Sequence, residues 1–152
     1  MKSKAQKIIT LIALLLVVAF TVLSCFTCFE FYSTTWKMPI LDDVRESITT
    51  LVDTKTLNIP VVLALGVLQV VLLCIRQRIT MCLSMWCSVL GVLATGYELV
   101  QNTVYVWMHS NGGLGYMDCI TTPVGRIVIA LSVVNMLVQI ISFKMKKEGN
   151  EP

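Results

Sequence analysis

The reading of this chain turns on two apolar runs and the three residues that join them: IPVVLALGVLQVVLLCI at 59–75, RQR at 76–78 and ITMCLSMWCSVLGVLATGYELV at 79–100. Each run approaches the ~20 residues that a ~30 Å hydrocarbon layer demands of a helix. A joint this short is a tight turn, so the two runs form an antiparallel hairpin, with Arg76 and Arg78 marking the face at which it turns. Two further runs of the same kind lie outward, at about 8–29 and 124–143. Lys2, Lys4 and Lys7 precede the first, and Lys144, Lys146 and Lys147 follow the last. Eight of the twelve Lys and Arg residues therefore share one side. By the positive-inside rule that side is the cytoplasm, so both termini and the RQR turn face in, while about 30–58 and 101–123 face out. The expected fold is an all-α membrane protein: a four-transmembrane-helix antiparallel bundle, one domain over 1–152, in a plasma or inner membrane.

Composition supports this. With 56% hydrophobic residues in 152, the core is built inside lipid and no separate soluble domain is expected. The net charge of +3 sits in short flanks that set topology and meet anionic head groups. No basic stripe with interleaved aromatics occurs, so nucleic acid is not an expected partner. The basic start and the run ending Val22-Leu23-Ser24-Cys25 resemble a bacterial lipoprotein signal, whose cleavage would leave Cys25 as a lipidated terminus. The apolar run continues through Phe26 and Phe29, beyond the ~7–15 residues of a signal core, and favours a retained span.

The first outer segment, PILDDVRESITTLV at 39–52, places Leu41, Val44, Ile48, Leu51 and Val52 at intervals of mostly three or four, behind Pro39 and the acidic Asp42 and Asp43. That pattern predicts a short outer amphipathic helix. The third span is expected to outrun the membrane through Gln101, Asn102, Tyr105 and Trp107 to about His109, ending at Asn111-Gly112-Gly113.

Small and polar residues show which helix faces pack in lipid. Ser84, Ser88, Gly91, Thr95, Glu98 and Asn102 form one stripe on span three. Ser132, Asn135, Gln139 and Ser142 form another on span four, and Thr21, Ser24 and Cys28 a thinner one on span one. Glu98, about 28 Å along its helix, reaches the level of Arg126 near the outer boundary. The two are expected to form an interfacial ion pair. The sharper alternative makes Glu98, with Arg126, Gln101, Asn102, Asn135 and Gln139, a polar intramembrane site for a proton, an ion or a small ligand.

Of six cysteines, Cys74, Cys82 and Cys87 fall in the inner half and read as apolar fillers or, at the membrane edge, palmitoylation sites. Cys25, Cys28 and Cys119 fall on the outer side, where a disulfide from Cys119 to Cys25 or Cys28 is one alternative to free thiols. The outer Cys25-Phe26-Thr27-Cys28 resembles the close thiol pair of quinone-linked disulfide-generating and vitamin K epoxide reductase-like enzymes. The resemblance covers four residues and a topology. It implies a redox role for Cys25, Cys28 and Cys119, passed through a second, loop-borne pair; here Cys119 stands alone in the outer loops.

A lone His109 and the lack of paired Cys-x-x-Cys units give no zinc site. No Gly-x-Ser-x-Gly, dinucleotide or Walker-type loop occurs, and no cofactor is expected. Phe29, Phe31, Tyr32, Trp36, Tyr105, Trp107 and Tyr116 read as an outer aromatic belt. The expected function is that of a small non-enzymatic accessory or interaction subunit, whose partners are the lipid bilayer and a membrane protein or a second copy. Its alternatives are a carrier using Glu98 and a thiol oxidoreductase using Cys25 and Cys28.

Overall fold

The computed structural model describes residues 2–36, 47–110 and 115–148. Four helices alternate with three strands: α1 (Lys2–Leu23), β1 (Phe29–Trp36), β2 (Ser47–Lys55), α2 (Ile59–Ile75), α3 (Arg78–His109), β3 (Gly115–Thr121) and α4 (Pro123–Glu148). The all-α expectation is therefore overturned. The fold is mixed, with a three-stranded antiparallel sheet in the order β2-β1-β3 set over one end of the helices.

The expected amphipathic helix is the specific error. Leu41 and Val44 lie outside the described residues, but Ile48, Leu51 and Val52 belong to β2. The segment SITTLVDTK carries Ile48, Thr49, Thr50, Val52 and Thr54, whose branched Cβ atoms crowd a helix and suit a pleated surface. β1 is similarly rich in aromatic and β-branched residues. The two strands pair from Phe29↔Lys55 to Trp36↔Ser47, with a bulge that leaves Val52 opposite no β1 residue. Backbone pairing along a whole strand outweighs a helical apolar spacing that rests on five residues. α1 also stops at Leu23, before the expected Phe29, because Phe29 already opens β1.

α1, α3 and α4 are long and apolar enough to cross a membrane, over Lys4–Leu23, Arg78–His109 and Pro123–Met145. The fourth helix, α2, is apolar but has 17 residues, about 25 Å of helix. α1 packs between α2 and α4, and α3 closes the ring on the other side of both. One apolar cluster, Ala13, Val17 and Leu73, lies among the helices. The larger one, with Phe20, Cys28, Phe29, Phe31, Leu57, Val62 and Val128, joins the sheet to the helix ends.

Local chemistry fixes each junction. Asn58 caps α2 by accepting from the Val61 N–H at 3.5 Å, with Pro60 in the first turn. Arg76 ends α2 in the left-handed region, φ 56°, which makes the hairpin tight. Thr122 begins α4: its Oγ1 accepts from the Gly125 N–H at 3.0 Å and donates to the Thr27 carbonyl at 2.8 Å. Its N–H donates to the Cys28 carbonyl at 3.0 Å. A side chain on Gly125 would collide with that same carbonyl, so only glycine lets α4 start this close to the root of β1.

Candidate functional site

The polar residues of the helix interior separate into two groups. The first lies where the sheet meets α3. Lys55, the last residue of β2, turns its ammonium onto Glu98, Nζ to Oε2 2.7 Å, and donates to Asn102 Oδ1 at 3.3 Å. Glu98 is nearly enclosed, its side chain 10% exposed, whereas Lys55 is 39% exposed and reaches outward. Asn102 is buried, and its Nδ2 finds no partner among the described residues. The expected partner of Glu98, Arg126, is exposed at the start of α4 and has no ion pair among the described residues. Both Lys55 and Arg126 border a span at the level of Glu98, and spacing cannot choose between them. The strand does, because β2 runs directly into α2 and delivers Lys55 over α3.

The second group lies deeper and is woven from three helices. Gln69 Nε2 donates to the Ser84 carbonyl at 3.3 Å, and Asn135 Nδ2 donates to Gln69 Oε1 at 3.4 Å. Ser84 donates to Gln139 Oε1 at 3.2 Å, and Gln139 Nε2 to Asn135 Oδ1 at 3.5 Å. All four side chains are buried. Asn135 and Gln139 thus share a site with Gln69 and Ser84, and not with Glu98, which stands fourteen residues or about 21 Å further along α3. Gln101 is exposed and donates to Tyr97. Gln69 is the residue missed from sequence, although its signal was present: it is the one amide in an otherwise apolar α2. In this belt each amide donates and accepts, so it ties three helices together.

The six thiols are free. Cys25 and Cys28 donate to separate backbone carbonyls, those of Thr21 and Phe26, each at 3.4 Å. Burial pushes the Cys28 thiol above its ordinary value, and burial with the nearby Asp118 does the same to Cys119. Both thiols are therefore held in the less nucleophilic protonated form.

The sheet has two kinds of edge. β3 turns Met117 and Cys119 inward, and its start is stitched to the end of α3 by Ser110, which donates to the Met117 carbonyl at 3.2 Å and accepts the Met117 N–H at 3.1 Å. β2 is exposed from Ser47 to Thr54, including Ile48, Leu51 and Val52. Among the described residues its outer edge pairs with nothing. Among those residues there is also no cluster of His, Cys, Asp and Glu that could hold a metal. No protein-family model matches the chain and no curated protein matches it, so the assignment of a role rests on this geometry.

Proposed function

We propose that this chain is a four-span membrane protein acting as a non-enzymatic accessory or interaction subunit, docking a protein partner or a second copy on its outer sheet. The sorting of basic residues supports both termini on the cytoplasmic side and the sheet outside. A sheet-bearing cap standing clear of the bilayer is a surface for a partner, and the observation that carries the reading is the β2 edge. An exposed strand whose edge is unpaired among the described residues, with apolar Ile48, Leu51 and Val52, offers backbone hydrogen bonds and side-chain contact together. The buried, mutually bonded amides and the burial that raises the Cys28 and Cys119 thiols favour neither turnover nor electron transfer.

The test is a photo-reactive amino acid placed at Leu51 in the full chain, irradiated in native membranes. One adduct of defined mass is expected, equal to twice the chain for self-pairing or to the chain plus a single partner. With the probe kept at Leu51, Ile48→Lys combined with Val52→Lys should abolish it while changing folding stability by no more than about 0.5 kcal/mol, as exposed positions do. The absence of any discrete adduct would refute the reading.

A further inference from the structure

Between the first half of α2 and the middle of α3 runs a groove of about 610 Å³, a size typical of sites for small amphiphiles. Its walls are apolar, with Val61, Leu65, Leu90, Leu93 and the small Ala64 and Ala94 leaving the gap between the helices. The helices meet at the RQR turn and at the Gln69–Ser84 contact, and the groove occupies the stretch nearer the sheet. Val61, Leu93 and Tyr97 are exposed along it, so it opens sideways, toward the acyl region of a surrounding bilayer. At the sheet end it is closed by Asn58 and by Glu98, its one charged lining residue.

The charges at that end select the occupant. Glu98 presents a carboxylate in the groove, and the Lys55 ammonium lies 2.7 Å from it on the more exposed side, beside Asn102, whose amide nitrogen has no partner among the described residues. This is a short, oriented pair with an anion inward and donors outward. A fatty acid or an acidic phospholipid would bring a net negative head against Glu98. A sterol would leave the pair unanswered. A zwitterionic head matches both ends at once. We propose that the groove holds one acyl chain of phosphatidylethanolamine, with the ethanolamine ammonium on Glu98 and the phosphate on Lys55. Ethanolamine is favoured over choline because its N–H groups donate charge-assisted hydrogen bonds to a carboxylate, whereas a quaternary ammonium has none to give. The inference rests on the membrane reading and is independent of the β2 edge.

The experiment is native mass spectrometry of the full chain, released from detergent after exposure to equimolar phosphatidylethanolamine and phosphatidylglycerol. One retained phosphatidylethanolamine is expected, at least tenfold in excess over phosphatidylglycerol. Ala94→Phe, which fills the groove, should cut retention at least tenfold. Glu98→Gln, which leaves Lys55 unopposed, should reverse the preference toward phosphatidylglycerol. Equal retention of the two lipids by the native chain, no retained lipid, or undiminished retention by Ala94→Phe would each overturn the proposal. Should Ala94→Phe fail to fold, the thermal midpoint of the native chain in mixed micelles decides: a rise with phosphatidylethanolamine alone supports the site, and equal shifts with both lipids refute it.

Discussion

Lys55 and Glu98 illustrate how unequal burial makes a pair asymmetric. Removing the exposed partner strands the enclosed one, because a carboxylate with little water around it has lost its compensating charge. Lys55→Met is therefore expected to destabilise the protein by about 1–3 kcal/mol in detergent unfolding, and adding Glu98→Gln should restore most of that loss. A double variant no better than the single one would show that Lys55 acts through something other than Glu98. Glycines divide in the same way. Gly125→Ala drives a methyl into the Cys28 carbonyl and should cost about 1–3 kcal/mol. Gly96→Ala, with open space around its Cβ position, should be neutral or slightly stabilising. For the thiols the sign follows from the protonated state: a raised pKa lowers the thiolate fraction at any given pH. Alkylation of Cys28 in the folded chain should keep accelerating as pH rises past 9, its ordinary value, whereas the unfolded chain should level off sooner. A folded-state plateau near neutral pH would contradict this. Much at this scale was legible in sequence: the polar stripe of α3 is buried at all six positions, and so are the four of α4. What spacing could not supply was the partner, because Lys55 reaches Glu98 through a strand pairing that no local pattern encodes.

At the level of elements, helices were easier to read than strands for a physical reason. An apolar helix of membrane length satisfies its own backbone, so its sequence carries nearly all the information needed. α2 indeed runs over the expected 59–75, and α3 ends at the expected His109. β2 satisfies its backbone on β1, more than ten residues away in sequence, and its face pattern is blurred because it is exposed nearly throughout. The Thr-Thr step at 49–50 was the available clue; Thr49 now shares a 3.0 Å hydroxyl contact with Thr34 across the sheet. The position of β1 between two neighbours predicts a gradient in hydrogen exchange. In the purified chain, β1 amides should exchange at least tenfold more slowly than those of β2, and binding of a partner strand should narrow that gap. Equal protection in the isolated chain would mean that the β2 edge is already covered.

For the molecule as a whole, the sheet and the RQR turn lie at opposite ends of the helix ring, and the proposed topology puts them on opposite faces of the membrane. In a chain whose six native cysteines are replaced by serine, Thr50→Cys should accordingly react with a membrane-impermeant thiol reagent added outside intact cells, and Gln77→Cys only after permeabilisation. The reverse pattern would invert the topology and with it the proposed docking face. Beyond orientation, strand order carries a consequence for synthesis. β1 acquires its first neighbour within some twenty residues, but Phe29 waits for Thr121 and the Cys28 carbonyl waits for Thr122. Until β3 has left the ribosome, one side of the central strand is an open template. A chain cut short before β3 would carry that template to the cell surface side, where any extended peptide could complete it. The placement of β3 beyond α2 and α3 makes completion of the sheet wait on synthesis of both helices.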